Sequence, residues 1–291
     1  MYYYLIDPLQ YDGRNFELYQ THLLSLLGEY QISGETARVT KLRRVEDLVA
    51  TALAHNAKTL VVVGGDKTLS EVIRLCLGKK ITLAFIPLNS RTEVGKIIGI
   101  TCLDQAIATI ARRRVEDLDV ARIGDEYFIS TISFGPLAGL KETGRATQRE
   151  KGFGLKNLMQ MKAVEIGLKL DDSYQVTDKL FGAMIINTRD SSGCMASSEK
   201  NKLGNPVDGV LDIVLLSKLS KFEMWRYRRM LYGRCFEALP GSSVMRAKKI
   251  EIISPEGLPL FLSGEIFRKS PAVIEMSKEK IRLVVGRKRQ F

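Results

Sequence analysis

Two histidines and one tryptophan in 291 residues, with four cysteines and eight prolines, set aside several functional classes at once. His22 and His55 stand apart from any other metal-type residues, so a Ser-His-Asp hydrolase or a histidine-ligated metal enzyme is not expected. Cys76, Cys102, Cys194 and Cys235 are scattered without C-x-x-C spacing, which predicts reduced thiols in place of disulfides or zinc ligands. No apolar run approaches the roughly 20 residues that a membrane-spanning helix needs. The opening stretch Met1 to Pro8 has neither a basic region nor a long apolar core, so it does not read as a signal peptide, and a cytosolic protein is expected. Zinc-finger spacing, RNP-type aromatics and helix-turn-helix patterning are also missing, and no nucleic-acid partner is expected.

What is abundant is positive charge. Forty-four Lys and Arg face 33 Asp and Glu, a formal net charge of +11. Such an excess points to an anionic partner without choosing among nucleic acid, phosphate-bearing substrates and an anionic membrane. The clusters are Arg112-Arg113-Arg114, Arg226-Tyr227-Arg228-Arg229 and Arg287-Lys288-Arg289. Each reads equally as a solvated face that aids solubility.

The length suits one large or two ordinary domains. Up to about residue 118 the pattern alternates. Tyr2 to Ile6 is a short apolar run, Phe16 to Tyr30 and Val45 to Ala54 have helical periodicity, and Thr59 to Val63 is a continuous apolar run. A helix from Thr68, a strand at Ile81 to Ile86 and helices near Ser90 and Thr101 follow. Continuous apolar strands between helices predict a parallel sheet with helices packed around it.

After Asp119 short β-rich runs dominate: Tyr127 to Phe134, Leu180 to Asn187, Val210 to Leu216, Lys249 to Ile253, Leu258 to Leu262, Ala272 to Met276 and Ile281 to Val285. Helical stretches are expected around Phe153 to Gly167 and Lys221 to Glu237. The expected organisation is an α/β domain over 1–118 and a mainly antiparallel β-sandwich domain over 119–291.

Two turns carry the chemistry. In Val61-Val62-Val63-Gly64-Gly65-Asp66-Lys67-Thr68-Leu69-Ser70-Glu71-Val72 a buried strand ends at two glycines, which permit a tight turn and close backbone approach. Thr68 and Glu71 stand at capping-box spacing before a helix whose apolar face is Leu69, Val72, Ile73 and Cys76. Strand, glycine turn and helix N-terminus make an anion site, because free N–H groups and the helix dipole point outward there; an ordinary βα turn is the plain alternative. One unit later the strand ending at Ile86 runs into Pro87-Leu88-Asn89-Ser90-Arg91-Thr92-Glu93-Val94-Gly95-Lys96, with Ser90 and Glu93 again at capping-box spacing. Both turns belong at the carboxyl end of the sheet, where open α/β folds bind ligands.

The first turn resembles the Gly-Gly-Asp-Gly-Thr nucleotide motif of the diacylglycerol kinase catalytic-domain family, to which sphingosine kinases and NAD kinases are more distantly related. The second is similar to that family's Pro-x-Gly-Thr-x-Asn-Asp-Phe-Ala-Arg segment. Ser130-Thr131-Ile132-Ser133-Phe134-Gly135 resembles its Ser-x-Gly-Phe stretch, and Asp208-Gly209-Val210-Leu211-Asp212 its Asp-Gly-Leu-Leu-Asp segment. Ser263-Gly264-Glu265 sits where the family has Asp-Gly-Glu, so the resemblance runs through essentially the whole chain.

The resemblance implies an ATP-dependent lipid kinase that moves the γ-phosphate of ATP, with Mg²⁺, to the hydroxyl of diacylglycerol or a related lipid. Gly64, Gly65, Asp66, Lys67 and Thr68 would hold the phosphates, helped by the Ser90 turn. Asp208 would be a magnesium ligand, with a plain turn residue as its alternative, and Ser263 and Glu265 would be the catalytic pair. The implied partners are a nucleotide and a lipid at an anionic membrane surface, approached peripherally, with homodimerisation left open.

The departures from the family pattern are Lys67 for glycine and Ser263 for the aspartate that takes the hydroxyl proton. A lysine forced to φ > 0 would be strained by about 1–2 kcal/mol, and an unactivated serine is a poor base at neutral pH. Asn89, Ser90, Thr92 and Glu93 also differ from the family residues, and Asp7-Pro8 replaces Asn-Pro. These changes leave a second reading open, a catalytically impaired nucleotide- or lipid-binding regulator. An NAD-kinase-like enzyme is a third. Finally, Lys221 to Tyr232 mixes cations with large apolar side chains; the preferred reading packs Phe222, Trp225 and Leu231 onto the second domain, and the alternative lays the segment on an anionic bilayer.

Overall fold

The computed structural model describes residues 1–89, 92–139, 155–190, 203–262 and 264–291. They form two compact units: Met1–Val120 with Asp125–Ile129 and Ser277–Phe291, and Ala121–Gly124 with Ser130–Met276. The alternating texture was expected to close at residue 118; the first unit also recovers the chain's last segment.

In the first unit the elements run β1 (Tyr2–Ile6), α1 (Phe16–Glu29), β2 (Glu35–Arg38), α2 (Val45–Ala54), β3 (Thr59–Gly64), α3 (Asp66–Cys76), β4 (Thr82–Pro87), α4 (Glu93–Ile97) and α5 (Leu103–Arg112). β5 (Val115–Ile123) and β6 (Glu126–Phe128) follow. Strands β1 to β4 lie in the order β2-β1-β3-β4, all parallel. The interior pair explains itself: every residue of β3 and β4 is buried, which only continuous apolar runs such as Leu60–Val63 and Leu83–Ile86 tolerate. The predicted apolar face of α3 is buried as expected, and each such side chain contributes roughly 1.5–3 kcal/mol on leaving water. A final strand, β16 (Ala272–Val284), pairs in parallel with β4 through Arg282 and Leu283.

The second unit contains β7 (Thr131–Phe134), α6 (Leu155–Gln160), β8 (Val164–Leu170), β9 (Tyr174–Leu180), β10 (Gly182–Ile186), β11 (Leu211–Leu216), α7 (Lys221–Arg226) and α8 (Arg228–Tyr232). It continues with β12 (Ser242–Ala247), β13 (Lys249–Ser254), β14 (Pro259–Leu262) and β15 (Glu265–Lys269). Six strands order as β12-β11-β10-β7-β14-β15, antiparallel throughout. The start of β16 pairs with β13, β13 with β8 and β8 with β9, again antiparallel. One side of β10 and β11 (Met184, Ile186, Val214, Leu216) packs with Met224, Leu231 and Phe236.

Several sequence expectations change here. The helix expected over Phe153 to Gly167 is confined, among described residues, to Leu155–Gln160, and Val164 onward is strand. Ala272 to Met276 and Ile281 to Val285 are not two strands but parts of one. Cys76 and Cys102 are free thiols as expected; Cys194 lies outside the described residues.

Candidate functional site

β1, β3 and β4 are parallel neighbours, so their carboxyl ends, Ile6, Gly64 and Pro87, open side by side. The backbone ties the three exits together: the Asp7 N–H donates to the Val63 carbonyl at 2.8 Å and the Leu88 N–H to the Gly64 carbonyl at 2.9 Å. Asn89 Nδ2 reaches the Gln10 carbonyl at 3.4 Å.

The glycine turn works differently from its sequence reading. Helix α3 begins at Asp66, its N-cap is Gly65 at φ −105°, and no side chain caps it. Neither glycine is in the left-handed region; Gly64 is tightly fitted against Thr68, whereas Gly65 faces the flexible end of Gln10. A Cβ on Gly64 would stand 3.1 Å from Thr68 Cβ, and one on Gly65 would stand 2.8 Å from Gln10 Oε1. Thr68 and Glu71 therefore do not form a capping box. Thr68 sits inside the first turn, buried, and its hydroxyl donates to Asp7 Oδ2 at 2.5 Å. Asp7 in turn caps the short helical turn Pro8–Gln10, accepting the Leu9 N–H at 3.2 Å. An Asp before a Pro at the first helical position was the available signal for this.

Lys67 is the second residue of α3 and does not have positive φ, so the strain that a left-handed lysine would carry is absent. Its exposed ammonium stands on the first turn, against the helix dipole. That placement is unfavourable by a few tenths of a kcal/mol unless an anion joins it.

Asp66 links the two turns. Its carboxylate accepts the backbone N–H of Glu93 at 2.7 Å and of Val94 at 3.3 Å, so it caps α4 from 27 residues away. Burial pushes its acid up to about 6, against the pull of those two N–H groups and of Lys96. The Ser90–Glu93 capping box is not formed: α4 starts at Glu93, with Thr92 as N-cap. Ser90 lies outside the described residues. Gly95 is needed for space, because a Cβ there would lie 2.5 Å from Thr92 Oγ1 and 2.8 Å from the Ile100 carbonyl.

The structure thus brings Gly64, Gly65, Asp66, Lys67 and Thr68 together at one sheet edge and adds Asp7 and Gln10, to which sequence reasoning gave no role. In the second unit, Asp208 is exposed in a turn, with Oδ1 accepting the Val210 N–H at 3.3 Å. The buried carboxylate nearby is Asp212, which accepts the Gly204 N–H at 2.7 Å and Arg246 Nε at 2.8 Å and so anchors that turn. Ser263 lies outside the described residues. Gly264 takes φ +82° between β14 and β15, and Glu265 opens β15. Among the described residues no three His, Cys, Asp or Glu side chains converge as a metal cage.

Fold and turn define an α/β protein whose parallel sheet ends in a helix N-terminus that no side chain caps. Residues 11–123 match the diacylglycerol kinase catalytic domain. The chain is 26% identical over 272 residues to a diacylglycerol kinase of Staphylococcus saprophyticus subsp. saprophyticus, covering 88% of this chain and 87% of the relative. A diacylglycerol kinase of Mycobacterium tuberculosis is 24% identical over 244 residues, 78% of this chain and 76% of that one. Among solved structures, a diacylglycerol kinase of Bacillus anthracis str. Sterne has the same fold, with a TM-score of 0.68 over 99% of this chain and 97% of that chain at 16% identity. The chain is thus similar along most of its length to lipid kinases of the diacylglycerol kinase type, and the catalytic-domain match falls on the segment that holds the Gly64-Gly65 turn.

Proposed function

We propose that the protein transfers the γ-phosphate of ATP to the hydroxyl of diacylglycerol or a related lipid alcohol. The observation that carries this reading is the uncapped N-terminus of α3 at the Gly64-Gly65 turn, with Lys67 on its first turn. Free N–H groups of that turn suit phosphate oxygens, and the Lys67 ammonium adds the compensating charge. Asp66 and Thr68 act by holding the neighbouring loops: Thr68 fixes Asp7, and Asp66 fixes the start of α4. The α/β unit is the nucleotide-binding part, and the antiparallel unit carries the lipid-substrate and catalytic residues.

Mg²⁺ neutralises charge on the transferring phosphoryl group in such reactions. An exposed single carboxylate such as Asp208 suits an ion that keeps several of its waters. Glu265 is assigned the proton-accepting role, because Ser263 lacks an evident activating partner in sequence. The lipid would be met at an anionic membrane surface; no described helix is long and apolar enough to cross one.

Ser263 supports a second reading, a protein of this family retained for binding nucleotide or lipid. Transfer of labelled γ-phosphate from Mg-ATP into mixed lipid vesicles decides between them. Label from the native protein supports the kinase. Label only after Ser263→Asp with Lys67→Gly supports the binding protein, and label from neither counts against both.

A further inference from the structure

Segment 221–232 does not pack as the sequence suggested. Met224 and Leu231 are buried with Met184, Ile186, Val214 and Leu216, and Tyr227 lies partly buried against them. Phe222 and Trp225 turn the other way, 64% and 47% exposed, with ring centroids 6.0 Å apart. Spacing accounts for the division: 224, 227 and 231 fall on one helical face, and 222, 225, 226 and 229 on the opposite one. Arg228 lies over the Trp225 ring at 5.4 Å and bonds the Trp225 carbonyl at 2.9 Å, so the indole is held outward. Lys221, Arg226 and Arg229 of the same segment are exposed, with Arg226 over the Tyr227 ring at 5.8 Å. The acidic residue of the segment, Glu223, is turned back onto its own N-cap, accepting the Ser220 N–H at 2.8 Å and hydroxyl at 2.7 Å.

We infer that this face is a membrane-docking surface whose occupant is an anionic lipid bilayer, an inference that rests on the lipid-kinase reading above. The complementarity is of two kinds. The exposed guanidinium and ammonium groups match the negative headgroup layer, each worth about 1 kcal/mol near such a surface. The aromatic pair matches the interface beneath it, where an indole keeps its apolar body in lipid and its N–H wet. A second copy of the chain fits less well, since a two-fold interface on this face would set Arg226 and Arg229 near their own equivalents.

Trp225 is the chain's one tryptophan, so its emission reports directly on this face. The experiment adds vesicles of phosphatidylcholine, with or without phosphatidylglycerol, to the full chain without nucleotide, reading both emission and co-sedimentation. The expected result is a blue shift and sedimentation with phosphatidylglycerol vesicles only, both reversed by salt. Arg226→Gln and Arg229→Gln should each weaken sedimentation about fivefold. Sedimentation without a shift would overturn the inference, because another surface would be binding. Absence of sedimentation would overturn it too, as would a shift that grows with protein concentration when no vesicles are present. A parallel label-transfer assay in detergent micelles separates the two claims. Label there with no Trp225 shift sinks the docking surface alone; a shift with no label sinks the kinase reading alone.

Discussion

Asp66 offers the sharpest test of how the site is built. It is a part-buried carboxylate whose acid is pushed from 3.8 up to about 6, mainly by burial. The folded state therefore holds the proton more tightly than the unfolded chain does. The stability this gives is fully present below the unfolded value and is lost as pH rises through the folded one. A rise of about two units corresponds to at most about 3 kcal/mol, an upper bound because water still reaches the group. Asp66→Asn carries no proton and keeps one acceptor for the start of α4. It should lose about 1 kcal/mol at acid pH, where one of the two N–H bonds goes unmade. Between about pH 4 and 7 it should then gain on the native protein by up to about 3 kcal/mol. Urea unfolding midpoints of both proteins across that range measure the difference directly. Parallel stability curves would refute the assignment of Asp66 as the buried acid that joins the two turns.

Other perturbations follow from the same contacts. Thr68→Val removes the hydroxyl from Asp7 Oδ2 and should cost about 1–3 kcal/mol in thermal unfolding, with weaker Mg-ATP binding by calorimetry. Gly95→Ala must displace the Ile100 carbonyl and should cost about 1–3 kcal/mol. Gly65→Ala meets only the mobile end of Gln10, so its melting temperature should stay near native while nucleotide affinity falls. Arg189 and Glu237 form a two-pronged ion pair with side chains only 7% and 13% exposed. Arg189→Met alone should cost about 3–5 kcal/mol, and the double change with Glu237→Leu should recover most of it, as a double-mutant cycle would record.

How much of this could be read beforehand depended on whether local sequence decided the outcome. β3 and its glycine turn were legible because burial on both faces leaves a continuous apolar run with nothing else to become. β2 and β9 were not, since Glu35–Arg38 and Tyr174–Leu180 are mostly exposed and carry polar residues that no periodicity marks. The site was legible as a place but not as a mechanism of support. Capping was read from near neighbours, Thr68 with Glu71 and Ser90 with Glu93. The partners actually used are Asp7 with Thr68, 61 positions apart, and Asp66 with the N–H groups of Glu93 and Val94. The outward turn of Phe222 and Trp225 was only the alternative reading for a related reason: an amphipathic segment has two apolar stripes here, and only packing decides which is covered.

The long strand β16 carries a consequence for how the molecule is made. Its first residues pair with β13, but Arg282 and Leu283 lie beside β4, and Ile281, Leu283, Val284 and Val285 complete the core of the first unit. On a ribosome the segments that form the Gly64-Gly65 turn emerge some two hundred residues before the strand that covers the β4 edge. Until it arrives, a nascent chain holds an open parallel edge flanked by unfilled apolar volume, the kind of surface that chaperones bind and neighbouring chains invade. A fragment of residues 1–120 should then aggregate when expressed alone, and the loss of only the last fifteen residues should unfold a unit that begins at residue 1.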